Sequence, residues 1–297
     1  MGRVSDHTLG DVIAAAALAT LIVSAPASAR AAAPAALLHA LDGTPPGGAR
    51  AVAATAPLLG ARYLRSALGE GSGPDPDPRF RLDAFDCQTF VETALALGSS
   101  RTLGEAERAL DDIRYQGTPA LASRHHEVLS QWIPANLARG WIADVTEEIG
   151  GGRAVRLARE YTPGGWARVH RAGRAIYGLP RDREPLGRFE TWAVPPADLL
   201  AVADRIPEGA VVFVVREDQP DRSTRISHAG LVIVHQGGER WVRHATSTPG
   251  VERVIEEPIG RFARREARAF PRWPVEGYAF FGVPDSTARV EALAGER

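Results

Sequence analysis

The sequence contains no lysine, a single methionine and a single cysteine among its 297 residues. One thiol cannot close an internal disulfide, so a disulfide-stapled scaffold is excluded. Every basic side chain apart from histidine is arginine, and alanine, glycine and proline are abundant, which reads as the codon bias of a GC-rich genome and carries no functional signal. The formal net charge is −1, so there is neither the broad basic field that nucleic acid requires nor an acidic tail. Long apolar runs are also missing. The longest lies in "DVIAAAALATLIVSAPASARAAA" and holds about a dozen residues, short of the roughly 20 that span a bilayer. It ends in the small residues Ala27-Ser28-Ala29 and resembles a secretory signal core with its cleavage site, although Arg3 ahead of it is offset by Asp6 and Asp11. No cysteine follows the run, so lipoprotein anchoring is excluded. Residues 1–29 are expected to be a signal peptide, and the mature protein to be exported to the periplasm or beyond, with no stable membrane insertion after cleavage.

Residues 30–50 are rich in Ala, Pro and Gly and read as a linker. After the loop "EGSGPDPDPR", the stretch "FDCQTFVETALALG" has a helix signature: Asp86 as N-cap, Cys87 at the first helical position, and Gly98 as a stop. Phe90, Val91, Ala94, Leu95 and Leu97 supply its apolar face. Residues 101–200 read as a mainly helical insertion, with "TLGEAERALDDIRYQG" and "HEVLSQWIPANLARG" as the better helices. From residue 206 the character changes, and "IPEGAVVFVVRE", "ISHAGLVIVHQGGERWVRHAT", "GVERVIEE" and "GYAFFGV" carry strand signals. The expectation is one α+β domain over residues 51–285, its cysteine helix packed on an antiparallel sheet, with a tail at 286–297.

A lone cysteine is commonly a small core hydrophobe. At a helix start, however, unpaired backbone N–H groups favour the thiolate and bring a free pKa near 8.5 down to values between about 3.5 and 7.5. The same N–H groups can hold an oxyanion. The charge of Asp86 opposes this effect unless its oxygens are occupied as a cap. A base must come from the eight histidines. His7 and His39 lie in or near the export region and His170 in an Arg-rich stretch. His125 and His126 adjoin each other without the neighbours of a zinc site, and His228, His235 and His244 lie on the strand pair. A two-residue turn at Gly237-Gly238 would put His228 and His244 on opposite faces, whereas a loop of three or five residues would put them on one face. Spacing alone leaves open that they are ordinary strand histidines.

"FDCQTFVETALAL", followed downstream by "SHAGLVIV" and "WVRHATSTPGVERV", resembles the NlpC-type cell-wall cysteine peptidase superfamily. "DCQTFVE" with "SRHHEVLSQWIPANLARGWIADVT" is similar to its N-acetylmuramoyl-L-alanine amidase-like branch, and "LLGARYL" resembles the segment that carries an active-site tyrosine there. The resemblance implies a papain-like core in which Cys87 is the nucleophile, His228 the general base and acid, and His244 the orienting third member. It also implies an amide substrate in peptidoglycan or muropeptides, at the bond between N-acetylmuramic acid and L-alanine. No metal or organic cofactor is implied. The wider superfamily has Ser-Gly after its Asp-Cys where this chain has Gln88-Thr89, so endopeptidase substrate contacts do not transfer. Tyr63 could donate to an oxyanion or simply pack beside the helix. Arg124 and His126 could bind a substrate carboxylate or sugar or sit at a solvated helix start, and Asp86 could contact a substrate amine or act only as a cap. The alternatives are a D-glutamyl–diamino acid endopeptidase with the same triad, a non-catalytic wall-binding module, and acyl transfer to an amine.

Overall fold

A computed structural model describes residues 34–295, and the expected signal segment, residues 1–29, lies outside them. Helices α1 (Pro34–Ala40) and α2 (Gly48–Thr55) precede the short strands β1 (Arg62–Tyr63) and β2 (Ala84–Phe85). The cysteine helix α3 (Cys87–Ser99) and α4 (Leu103–Arg114) follow. A π-helical turn at Val128–Trp132 leads into α5 (Ile133–Ala138), β3 (Ala143–Asp144) and α6 (Thr146–Gly150). An arm comes next, made of β4 (Val155–Tyr161), α7 (Pro163–Arg171) and β5 (Gly187–Ala193). After α8 (Leu199–Val202) come β6 (Val211–Arg216), β7 (Ile226–Val234), β8 (Arg240–Thr246), β9 (Arg253–Pro258), α9 (Ile259–Ala269), β10 (Val275–Gly282) and α10 (Thr287–Gly295).

The main sheet has eight strands in the order β2-β1-β9-β8-β7-β6-β10-β3, antiparallel throughout except for the β1–β2 pair. The fold is therefore α+β. Its interior strand β6, "VVFVVR", is buried along its whole length because both faces of the sheet are covered. Phe213 and Val215 face a core shared with Phe90, Val91, Ala94 and Leu95 of α3, while Val212 and Val214 face Phe262 of α9 on the other side. Among the described residues, no helix is long and apolar enough to cross a membrane.

Three stretches differ from their sequence pattern. Residues 30–50, read as a linker, contain α1 and the start of α2, whose Leu37, Leu38 and Ala51 are core residues. The last stretch, 286–297, contains α10, whose Val290 is buried. The insertion at 101–200, read as mainly helical, carries α4 to α7 but also a two-stranded sheet in which β4 and β5 pair over seven residues each. "VRLAREY" and "GRFETWA" do alternate in burial, but arginine and glutamate on the open face hide that period.

Gly98 lies inside α3 and does not terminate it. A side chain there would meet Ala51 Cβ at 3.0 Å and the Gly47 carbonyl at 3.1 Å. Gly47 in turn donates its N–H to the Gly98 carbonyl (3.0 Å), and Gly48 donates to the Val283 carbonyl (3.0 Å). Gly209 packs so closely that a Cβ on it would fall 2.3 Å from Gly48 Cα. The far end of the cysteine helix is thus seated backbone against backbone.

Candidate active site

The β1–β2 pairing sets Tyr63 opposite Phe85, two residues before Cys87. Asp86 then caps α3 through one oxygen, which accepts from the Thr89 N–H and the Thr89 hydroxyl, each at 2.8 Å. Thr89 Oγ1 accepts from the Asp86 N–H at 2.9 Å, completing a capping box. The other Asp86 oxygen accepts from the N–H of Ser66 at 2.9 Å, and Ser66 reaches it from a left-handed turn with φ 51°. Both oxygens are therefore engaged by protein donors, as a cap requires.

Cys87 follows at the first helical position and is half-buried. Its thiol is not lowered as a helix start alone would suggest. Burial pushes it up to about 12, and the Asp86 and Glu266 charges add to the rise, against the opposing backbone N–H groups of Ala229 and Gln88. Desolvation and two carboxylates outweigh the helix terminus. The Tyr63 hydroxyl is likewise raised, first by burial and then by the charges of Cys87 and Asp86.

The histidines come from the sheet. Leu231 pairs with Arg243 and Val234 with Arg240, which leaves a five-residue loop, 235–239, between β7 and β8. In that register His228 and His244 share a face. A bulge against β6 intervenes where Val214 pairs with His228 but Val215 with Ile226. Gly230 packs against His244 on the neighbouring strand with no room for a side chain, since a Cβ there would meet Val242 Cγ1 at 2.6 Å and His244 Cβ at 3.1 Å. His228 Nε2 and His244 Nδ1 are 2.7 Å apart with the rings nearly perpendicular, and both rings contact Phe262 of α9. This leaves Nδ1 of His228 without a protein partner among the described residues. The adjoining residue, Ala229, is the one whose N–H acts on the Cys87 thiol.

Burial, then the Arg265 and Arg216 charges, bring His228 down to about 3, against the pull of Asp86. His244 is fully buried and is lowered well below the usual range by burial, His228 and Arg265. The resting site therefore holds a neutral thiol and neutral imidazoles. Beyond His244, Nε2 meets Arg265 Nη2 at 2.8 Å and Glu257 Oε1 at 3.3 Å. Arg265 Nε donates to the same Glu257 oxygen at 2.9 Å.

Other sequence candidates sit apart from this cluster. Arg124 is held by Glu70 (2.5 Å) and Asp75 (2.9 Å), clamping the loop that precedes β2. His126 Nε2 lies 2.7 Å from the Leu121 carbonyl, and burial lowers its pKa. Glu257 and Arg265 escaped sequence reading. In "IGRFARREARA" Arg261, Arg264, Arg265 and Arg268 form one stripe that reads as a solvated face, so only the position of Arg265 one turn after Phe262 marks it, and that is visible once the helix is docked. Among the described residues, no group of three or more His, Cys, Asp or Glu side chains could hold a metal ion.

Solved structures share this fold. A protein of Legionella pneumophila strain Philadelphia 1 matches with a TM-score of 0.70 at 23% identity, over 84% of this chain and 93% of that one. An N-acetylmuramoyl-L-alanine amidase of Bacteroides uniformis matches with a TM-score of 0.58 at 20% identity, over 76% of this chain and 94% of that one. At such identities the likeness establishes the fold alone. No curated protein matches the chain. A family model does: it spans residues 53–268, from α2 through α9, and encloses the thiol, both histidines and Arg265. The chain belongs to the AmiA-like family of N-acetylmuramoyl-L-alanine amidase-like proteins.

Proposed function

We propose that the protein is an exported cysteine amidase that hydrolyses the amide between N-acetylmuramic acid and L-alanine in peptidoglycan or its muropeptide fragments. Family membership supports the substrate class. The observation that supports the thiol chemistry is the hydrogen bond between His228 of β7 and His244 of β8, with Ala229, the residue after His228, presenting its N–H to the helix-start thiol. The arrangement supports reading the site as NlpC-type and papain-like, with the nucleophile at a helix N-terminus, the base on a strand and the orienting partner on the neighbouring strand.

In the reaction, Cys87 Sγ attacks the lactyl carbonyl while its proton passes to His228 Nδ1. Backbone N–H groups at the start of α3, with the Tyr63 hydroxyl, stabilise the oxyanion; one such donor is worth about 10²–10³ in kcat. His228 returns the proton to the leaving L-alanyl amine as the tetrahedral intermediate collapses to a thioester. Water, activated by His228, then hydrolyses the thioester and restores the thiol. His244 holds the His228 ring throughout.

The deciding experiment incubates purified protein with a defined disaccharide–tripeptide and weighs the products by mass spectrometry. Release of free tripeptide, absent for Cys87→Ala, is the expected result. A product with L-Ala-D-Glu still attached to the sugar would replace this reading with the endopeptidase, and full cleavage by Cys87→Ala would remove the thiol from the mechanism.

A further inference from the structure

His244 Nε2 faces two groups of opposite hydrogen-bonding character. Arg265 Nη2, at 2.8 Å, can only donate, and an ionised Glu257, with Oε1 at 3.3 Å, can only accept. The two are paired with each other, and Arg265 is further fixed by donating to Thr246 Oγ1 at 2.8 Å. Glu257 is only 4% exposed. A charged pair kept at such depth is weak evidence for added stability, and here both charges meet at one histidine nitrogen.

Which of the two serves Nε2 fixes every proton down the line. With Arg265 donating, neutral His244 carries its proton on Nδ1 and gives it to His228 Nε2, 2.7 Å away. His228 must then hold its own proton on Nδ1. It offers the thiol an N–H, and the S–H proton has no acceptor. With Nε2–H turned to Glu257 the order reverses: His244 Nδ1 accepts from His228 Nε2–H, and His228 Nδ1 presents a lone pair. From that form the S–H bond can break, its electron pair staying on sulfur and its proton going to Nδ1. Both forms hold one proton on each ring and one on sulfur, and they interconvert by proton exchange with water.

We propose that the Glu257–Arg265 pair selects the tautomer of His244, Arg265 favouring the resting form and Glu257 supplying the acceptor that the reacting form requires. Both act through His244 and are positioning residues. The catalytic consequence rests on the amidase reading above; the tautomer assignment does not.

The test is the ¹⁵N spectrum of the histidine-labelled protein at neutral pH, which requires no substrate. The expected spectrum shows His244 protonated on Nδ1 and bare on Nε2, with the proton moving to Nε2 in Arg265→Met. A proton on Nε2 in the wild type, or a tautomer unmoved in Arg265→Met, overturns the proposal. Kinetics supply the second readout. Glu257→Leu should lower kcat roughly 10- to 100-fold, the cost usual for losing an outer partner of a histidine, with KM little changed. Glu257→Gln, whose amide oxygen accepts, should recover part of the loss. In Glu257→Leu the acidic limb of the kcat profile should move to lower pH, because the His228 imidazolium loses the acceptor at the end of its chain. The other titratable and charged groups around the pair are the same in each variant: Asp86 and Cys87 on the α3 side, Arg216 of β6, and on α9 Glu266 and Arg261, the last 3.4 Å from Glu257. Equal losses in Leu and Gln variants with an unmoved limb would mean a merely structural pair. A wild type that leaves muropeptide intact would sink the amidase reading while the spectrum still decides the tautomer.

Discussion

Removing Glu92 from α3 tests how the cysteine helix is held. Glu92 and Arg114 are 4% and 3% exposed, with Arg114 Nη1 donating to Glu92 Oε2 at 2.6 Å. Glu92 Oε1 accepts from Trp132 Nε1 at 3.0 Å, and Arg114 Nη2 donates to the Leu68 carbonyl at 3.1 Å. One carboxylate thus joins α3 to α4, to the π-turn and, through Arg114, to the loop ahead of β2. Glu92→Leu strands a buried guanidinium, costing about 3–5 kcal/mol, and orphans the Trp132 N–H for about 1–3 kcal/mol more. Such a sum is a large part of the roughly 5–15 kcal/mol that stabilises a domain. Arg114→Met alone strands the carboxylate at about 3–5 kcal/mol. The double variant leaves no buried charge, only an unmatched indole N–H and a carbonyl, about 1–4 kcal/mol in all. The two residues should therefore be coupled by at least about 3 kcal/mol in a double-mutant cycle, the smallest difference these ranges allow. Urea unfolding followed by tryptophan fluorescence, with the slope checked for constancy, measures it. Additivity of the two single variants to within about 0.5 kcal/mol would refute the reasoning, because it would mean that the ion pair does not act as a unit.

Alkylation of Cys87 by a small neutral reagent should be slow at neutral pH and rise toward about pH 12 without an earlier plateau. Asp86→Asn, which keeps a capping side chain but removes the charge, should speed it, and a midpoint near neutrality in the wild type would contradict the burial argument. Gly230→Ala should cost about 1–3 kcal/mol through overpacking and depress activity by displacing His244; a variant with unchanged melting temperature and activity would show that the gap can open. His228 is lowered from 6.5 to about 3, so between those values the unfolded chain binds a proton that the native chain does not. Stability should accordingly fall as pH drops through that window, and His228→Gln should flatten the fall in denaturant titrations at several pH values. An equally steep fall in the variant would place the acid sensitivity elsewhere.

Much of the candidate site's framework is legible in the chain because it rests on local rules. Asp86 and Thr89 specify a helix start by their spacing, and the strands from β6 to β10 are written in β-branched and aromatic residues. The shared face of His228 and His244 follows from parity once the loop length is known, although the loop length itself does not. What stayed hidden depends on long-range burial. The thiol's direction of shift is a sum over Asp86, Glu266 and the crowding around them, contributed by elements far apart in sequence. Arg265 is one arginine among four in α9, and only docking against β8 distinguishes it. The β4–β5 hairpin was masked by the charged residues on its open face.

The glycine seat at the end of α3 bears on where the Cys87 thiol sits. Between Gly98 and Cys87 the helix runs about 17 Å at 1.5 Å per residue, and its far end has no compressible side chain to absorb a shift. The thiol's position along the sheet is therefore metered from the opposite end of the rod, where α2, the turn before β6 and the exit of β10 converge. A methyl group added at Gly48 or Gly209 would act like a shim under that rod. It would slide the Cys87 thiol along its axis relative to two histidines that the sheet keeps still, and under the proposed mechanism the lesion would look catalytic although it lies a helix length from the thiol.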